Sequence, residues 1–449
     1  MTQDLLARYD RRVPRYTSYP TAPQFTPTVR AAAYRAWLEG LDPRLPLSLY
    51  YHIPFCDSLC WFCGCHTKIV RRYEPIAAYL ELLLREVDRV AERLDGRRKV
   101  CHVHLGGGTP TILEPGDMER LFGRLRERFD LLPGADVAVE NDPREFNQDL
   151  VRAMARAGVN RASLGLQDVN PQVQRAVNRV QSMDETKRVA DSLRAAGIDS
   201  INIDLMYGLP YQTVARVLTT VEAVLSLKPE RICLFGYAHV PWMKRHQRLI
   251  DEQTLPDAEE RFAQYMAAVK RLREAGYVWV GLDHFALPDD RLAVAARQRT
   301  LHRNFQGYTT DEAPVRFGFG ASAIGSLPQG FVQNEVSTHA YRDALEAGGL
   351  PIARGLTLSD DDRLRGAVIE RLMCFLDVDL DEVRREFAED PHVFADALVA
   401  LAVMEADGLV ELDGARIRVT ELGRPFVRTV CAVFDRYLGP GETRYVRAV

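Results

Sequence analysis

Between Leu47 and Phe235 the chain alternates short β-rich runs with longer amphipathic ones, six times in succession. The predicted strands are Leu47–His52, Val100–Leu105, Asp136–Glu140, Arg161–Leu166, Ser200–Asp204 and Arg231–Phe235. Between them lie predicted helices over Ile76–Leu94, Met118–Phe129, Gln148–Ala157, Glu185–Ala195 and Val214–Ser226. In the first of these, Tyr79, Leu82, Leu83, Glu86, Val87 and Val90 recur at the spacing of a one-sided helical face. Regular alternation of this kind allows little besides a parallel sheet wrapped by helices, because each strand reaches its parallel neighbour through a right-handed crossover. Six units are too few for a closed eight-unit barrel. The expected fold is therefore α/β, an open partial barrel of (β/α)6 type.

Polar and glycine-rich residues fall just after each strand. Four cysteines follow the first, and Gly106-Gly107-Gly108-Thr109-Pro110-Thr111 follows the second. Glu140 ends the third, Gln167 follows the fourth, Asp204 ends the fifth, and Tyr237-Ala238-His239 follows the sixth. Parallel barrels build their chemistry at the carboxyl ends of the strands, so these residues are expected to share one rim.

The cysteine segment reads Tyr50-Tyr51-His52-Ile53-Pro54-Phe55-Cys56-Asp57-Ser58-Leu59-Cys60-Trp61-Phe62-Cys63-Gly64-Cys65-His66. Cys56, Cys60 and Cys63 have C-x-x-x-C-x-x-C spacing, which suits three corners of a cubane iron–sulfur cluster. A zinc site would take two of these cysteines with His52 or His66, or Cys63 and Cys65 with a distant pair, and the chain offers no second C-x-x-C knuckle. A cluster held by three thiolates leaves one iron free for another ligand, commonly S-adenosylmethionine. Cys65 is left over, either packed or working in the pocket. Cys101, Cys233, Cys374 and Cys431 lie scattered in apolar surroundings and read as buried structural thiols.

The glycine run lacks the Gly-Lys-Ser/Thr end of a phosphate loop and the spacing of a dinucleotide site. Beside a cluster, it suits close backbone approach to a methionine-like ligand. Glu140 and Asp204 are expected to bind ribose hydroxyls or a ligand amine, with a capped or ion-paired acid as the structural alternative. Gln167 and Arg179 are a candidate polar lining and a candidate carboxylate clamp.

A formal net charge of −4 offers no basic footprint for nucleic acid or an anionic membrane. The N-terminus lacks the apolar core of a signal peptide, and no apolar run is long enough to span a bilayer. A cytoplasmic location is expected. Two further strands are predicted at Val278–Leu282 and Val315–Phe319. After Leu350 helical patterns precede a hairpin, Gly408–Thr420, with its turn at Asp413-Gly414. This arrangement resembles a winged helix, yet acidic residues outnumber basic ones by six over residues 351–449, opposite to what phosphate contacts need. The expected division is residues 1–46 as an extension over the barrel mouth, 47–350 as the barrel, and 351–449 as a mainly helical packing or lid domain.

These residues together resemble the radical S-adenosylmethionine superfamily and, within it, the oxygen-independent coproporphyrinogen III oxidase family over nearly the full length. The marks are Pro14-Arg15-Tyr16-Thr17-Ser18-Tyr19-Pro20-Thr21, the Cys63-x-Cys65 ending, Leu164-Gly165-Leu166-Gln167-Asp168, Asn202–Pro210, Asp283-His284-Phe285-Ala286 and Leu301–Tyr308. The resemblance implies that Cys56, Cys60 and Cys63 ligate a 4Fe-4S cluster. It implies that Tyr50, Phe62, Gly107, Glu140 and Ile324 contact the S-adenosyl-L-methionine on that cluster. A second S-adenosyl-L-methionine would rest on Gly108, Thr109, Gln167, Arg179, Asp204 and Ala238, and Cys65 would be needed for activity without being a ligand. One departure is Asn141, where the family usually has a hydrophobic residue before Asp-Pro-Arg. The implied reaction turns two propionates of coproporphyrinogen III into vinyl groups by way of a 5′-deoxyadenosyl radical. A reductant such as flavodoxin or ferredoxin and a monomeric state go with it. The rival readings are a haem-delivering paralogue, a haem-degrading methyltransferase and an iron–sulfur protein without catalysis.

Overall fold

A computed structural model describes residues 2–390, 392–439 and 445–448. One twelve-stranded sheet organises it. Its strands are β1 (Leu47–Ile53), β2 (Lys99–Gly107), β3 (Asp130–Asn141), β4 (Arg161–Gln167), β5 (Ser200–Tyr207), β6 (Arg231–Gly236), β7 (Val278–Val280), β8 (His284–Ala286), β9 (Val315–Phe319), β10 (Ile324–Leu327), β11 (Gly330–Asn334) and β12 (Ile352–Thr357). The spatial order is β12-β11-β10-β9-β1-β2-β3-β4-β5-β6-β8-β7. From β9 through β6 every pairing is parallel, and the flanks are antiparallel. The edges β12 and β7 do not pair, so the barrel stays open.

The six predicted strands therefore form the parallel centre. Val315–Phe319 adds a seventh parallel strand beside β1, with Leu47 opposite Val315. The predicted strand at Val278–Leu282 is shorter, ending at Val280, because Gly281 takes φ +55° and turns the chain into β8. Helices Glu74–Ala91, Pro115–Arg128, Gln148–Arg156, Met183–Ala195, Val214–Leu225 and Ala258–Glu274 follow strands β1 to β6 in turn. Met183–Ala195 starts with a capping box in which Ser182 and Glu185 satisfy each other's backbone N–H.

The period-two pattern of the strands decides which residues reach the barrel interior. On β4, Ala162, Leu164 and Leu166 are buried, while Arg161, Ser163 and Gln167 line the central cavity. On β5, Ile201, Ile203 and Leu205 are buried, while Asn202, Asp204 and Met206 line it. β6 contributes Arg231, Cys233 and Phe235 to the same wall.

A second apolar core joins the two ends of the chain. Leu5, Leu6, Tyr9, Val13, Tyr16 and Tyr19 pack with Leu364, Val368, Leu372, Val427, Val430 and Phe434 of the C-terminal region. That region contains helices Asp360–Phe375, Leu380–Phe387 and Ala395–Ala406. Its hairpin is Val410–Asp413 with Arg416–Val419, and Asp377–Asp379 adds a third strand absent from the expectation. Among the described residues, no helix is long and apolar enough to cross a membrane.

Candidate active site

The cysteine loop leaves β1 at Ile53 and is closed at its neck by parallel pairing of Phe55–Cys56 with Lys68–Ile69. The glycine run docks against it, with Gly108 N–H donating to Ile53 O at 2.8 Å and Thr109 N–H to Phe55 O at 2.8 Å. At Gly108 an added Cβ would lie 2.5 Å from Phe55 O, so only glycine lets the two backbones meet. Trp61 and Phe62 pack against Val173, Val177, Leu209, Tyr237 and Ile250. Three side chains after β6 grip the loop from above: Gln247 donates to Phe62 O (3.0 Å), Lys244 to Cys65 O (2.9 Å), and His246 Nε2 sits 2.8 Å from Cys63 O.

Cys56, Cys60 and Cys63 line one cavity of about 190 Å³ with Gly107, Gly108, Thr109, Glu140, Gln167, Arg179 and Asp204. Each sulfur meets donors. Thr67 and Thr109 hydroxyls lie 3.1 and 3.4 Å from Cys56 Sγ. Arg179 Nη1 and Arg144 Nη2 lie 3.4 and 3.5 Å from Cys60 Sγ, and Cys65 N–H lies 3.4 Å from Cys63 Sγ. Hydrogen bonding from Cys65, opposed by burial, lowers the Cys63 thiol, and the same contact raises Cys65. Donors around sulfur favour thiolate, the form that ligates metal, although at Cys56 burial outweighs the two threonines and pushes the thiol up to about 11.

Among the described residues, no group of three or more His, Cys, Asp or Glu is arranged to hold a single metal ion. Three thiols spread around one cavity wall suit the larger iron–sulfur cluster instead. Further observations fit a bound ligand beside that cluster. Gln167 takes the left-handed φ of +72°, and its buried Oε1 has no hydrogen-bond partner. Strain and an unsatisfied acceptor together mark a position built for something outside the chain. The site thus fits a three-thiolate cluster and a polar ligand.

The two rim carboxylates differ. Burial raises Glu140, but His104 Nε2 at 3.1 Å and the Gly107 N–H at 3.1 Å bring it below its ordinary value. Burial and the neighbouring Glu140 raise Asp204 against donation from Asn202 (2.7 Å) and Ser163 (3.0 Å). One acid is thus held ionised, and the other holds its proton more readily. Both face a larger cavity of about 590 Å³ that also contains Phe62, Cys65, Gln167, Ala238 and His284, within the roughly 300–1,000 Å³ range of small-molecule sites.

Two expected contacts lie outside both cavities. Tyr50 directs its hydroxyl to His52 Nδ1 at 3.0 Å, and Ile324 sits on β10 opposite Gln333. Arg179 lines the cavity with its guanidinium bound to Asp142, Gly165 O and Cys60. Sequence reasoning missed Asp142, Arg144 and the Lys244–Gln247 segment. Asp-Pro-Arg after a strand was the available signal for the first two.

Comparisons with known proteins converge on one family. The Radical SAM superfamily model matches residues 50–224, and the HemN C-terminal domain model matches residues 358–426. The chain is 52% identical over 450 residues to the oxygen-independent coproporphyrinogen III oxidase of Bradyrhizobium diazoefficiens, covering 100% of each. It is 41% identical over 439 residues to the Pseudomonas aeruginosa protein of that name, covering 97% of this chain and 95% of the relative. The solved structure of coproporphyrinogen III oxidase from Escherichia coli, described as a radical SAM enzyme, matches at TM-score 0.90 and 38% identity, over 95% of this chain and 100% of that one.

Proposed function

The chain belongs to the oxygen-independent coproporphyrinogen III oxidases of the radical SAM superfamily, and from that premise we propose that its rim cavity converts two propionates of coproporphyrinogen III to vinyl groups, giving protoporphyrinogen IX. The observation that carries the reading is the shared cavity of Cys56, Cys60 and Cys63 with Glu140, Gln167, Arg179 and Asp204. Per propionate, one hydrogen atom, one carbon dioxide and one electron depart, the electron going to a one-electron acceptor. The β-hydrogen is unactivated, so no side-chain base removes it as a proton near neutral pH. A 4Fe-4S cluster with S-adenosyl-L-methionine supplies the one-electron chemistry that side chains lack.

The chain's own residues hold and shield. Cys56, Cys60 and Cys63 ligate the cluster, and the threonines and arginines around them steady the thiolates. Tyr50, Phe62, Gly107, Glu140 and Ile324 serve the S-adenosylmethionine at the cluster. Gly108, Thr109, Gln167, Arg179, Asp204 and Ala238 serve a second one. Ionised Glu140 suits a cationic or hydroxyl-bearing ligand. Cys65 stands at the cavity wall with its backbone N–H directed at the Cys63 sulfur. The segment from Leu5 to Tyr19 and the C-terminal region, which share one apolar core, form the cover that keeps water from the barrel mouth. A one-electron carrier such as flavodoxin or ferredoxin serves as reductant to a cytoplasmic monomer.

The test is anaerobic incubation of reconstituted enzyme with coproporphyrinogen III, S-adenosylmethionine and a reductant. Protoporphyrinogen IX is the expected product. Tight haem binding with no product formed would overturn the reading in favour of a haem-carrying relative.

A further inference from the structure

Next to the rim cavity lies a second one, of about 240 Å³, where the N-terminal strip, the barrel and the C-terminal region meet. Six arginines line it, and Asp283 is the one carboxylate among its described lining residues. Asp283 is already engaged, accepting from His284 Nδ1 at 2.8 Å and facing Arg303 Nη1 at 3.9 Å. Arg303 is only 4% exposed, and its Nε and Nη1 have no hydrogen-bond partner. Its Nη2 reaches the Arg15 carbonyl at 3.3 Å. Arg15 makes a long bond of 3.4 Å to Gly236 O. Arg428 spends its donors on the carbonyls of Val13, Pro14, Arg447 and Ala448. Arg261 donates to Tyr237 O at 3.0 Å and lies over the Tyr207 ring.

Carbonyls and a ring thus answer Arg15, Arg261 and Arg428 where carboxylates would neutralise them, while Arg447 pairs with Asp10 at 3.2 Å. Burial brings the Arg428 guanidinium down to about 10, and repulsion from Arg15 and Arg303 adds to that shift, while Arg15 itself is exposed. Holding Arg303 and Arg428 together away from water is costly unless an anion completes the site. The guanidinium fork matches a carboxylate in particular.

We propose that Arg15, Arg303 and Arg261 form a carboxylate anchor that holds the substrate propionates surviving the reaction, with Arg428, its donors spent on carbonyls, adding positive charge behind them. The assignment rests on the function proposed above. The arginine cavity shares Arg15, Phe235, Gly236, Tyr237 and Ala238 with the larger cavity containing Cys65, Glu140 and Asp204. A ligand with carboxylate arms among the arginines therefore lays its body across the rim. Pairing to guanidinium stabilises a carboxylate and so opposes its loss as carbon dioxide. The anchor accordingly suits the two carboxylates that remain, leaving the reacting pair free over the rim.

The experiment titrates cluster-reconstituted protein with three fluorescent probes: coproporphyrin III, its tetramethyl ester, and protoporphyrin IX, which carries the two surviving propionates alone. Wild-type protein is expected to bind both acids at least about tenfold more tightly than the ester, the scale of a charged hydrogen bond. Arg15→Leu is expected to weaken both acids at least about tenfold, to leave the ester unchanged and to raise KM for coproporphyrinogen III; Arg15→Lys recovers part of the loss. Arg303→Met gives a second reading if it keeps its cluster absorbance, and Arg15, which faces the cavity through one long bond, decides alone otherwise. Equal affinity of wild type and Arg15→Leu for both acids overturns the anchor, while wild-type turnover leaves the proposed function standing. A loss for coproporphyrin III without one for protoporphyrin IX also overturns it, by assigning the arginines to the reacting pair. Wild-type protein that binds no acid and forms no product overturns the anchor and the function together.

Discussion

Arg179 and Asp142 form a buried ion pair, Nη1 to Oδ2 at 3.0 Å and Nη2 to Oδ1 at 3.2 Å, immediately beside Cys60. Asp142 also binds Arg144, with Nη2 at 2.6 Å, so one carboxylate aims two guanidiniums at one sulfur. Asp142→Asn leaves Arg179 buried without its counter-charge, which costs on the order of 3–5 kcal/mol. The expected outcome is a lower melting temperature and less iron retained per chain. An unchanged melt with full iron content would show that the pair is dispensable.

Cys65 offers a sharper separation. Its backbone N–H donates to Cys63 Sγ at 3.4 Å, and a serine keeps that bond. Cys65→Ser is therefore expected to retain the cluster's visible absorbance while losing turnover of coproporphyrinogen III. Failure to assemble the cluster would make Cys65 a ligand.

Gly108→Ala places a Cβ 2.5 Å from Phe55 O and 2.8 Å from Phe55 N, both backbone atoms. Overpacking of this kind costs ~1–3 kcal/mol, and here the cysteine loop must absorb it. Reduced cluster loading is expected. Gly123→Ala, whose added Cβ meets nothing within 4 Å in the helix Pro115–Arg128, is the control and should stabilise the fold by roughly 0.5–1 kcal/mol.

Gln247 is 1% exposed and ties the segment after β6 to the cysteine loop. It donates to Phe62 O (3.0 Å) and Ala238 O (3.2 Å) and accepts from Val240 N–H (2.6 Å). Gln247→Ala leaves those groups unsatisfied at about 1–3 kcal/mol each where water cannot replace the amide. Faster bleaching of the cluster in air is the expected result, followed as decay of visible absorbance. Identical decay in variant and wild type would remove the segment from the protection of the site.

Glu86 sets a pH dependence away from the site. Burial raises its carboxyl to about 7 against donation from Tyr341 (2.6 Å), Asn334 (2.6 Å) and Gly320 N–H (2.7 Å). A raised folded value means the native chain keeps a proton that the unfolded chain, titrating near 4.5, has released. The contribution is fully present below the unfolded value and is lost as pH rises through the folded one, on the order of 3 kcal/mol in all. Between about pH 5 and about pH 8, wild-type stability should fall more steeply than that of Glu86→Gln. Parallel melting curves for the two proteins would exclude Glu86 as the cause.

Much of the fold was legible because its signals are local. The strand period and the helical faces are written in near neighbours, and the right-handed crossover leaves only a handful of ways to order β1 to β6. The rim followed, since a residue ending a parallel strand has a known side of the sheet. Val315–Phe319 was legible as a strand but not as the partner of β1, because nothing in either run encodes a pairing across so long a connection.

The cysteine spacing by itself put Cys56, Cys60 and Cys63 on one short loop, and the order of strands determined that glycines and acids would surround it. The tertiary structure alone decided how those groups are held. Asp142 meets Arg179 across 37 positions, and Arg428 meets Pro14 across 414. Such contacts carry no local signature. They arise when burial of apolar surface brings distant segments together and the polar groups carried inward must find partners there. In the cavity between the two ends of the chain, Arg303 keeps Nε and Nη1 without a hydrogen-bond partner, so the chain's own groups leave that requirement partly unmet.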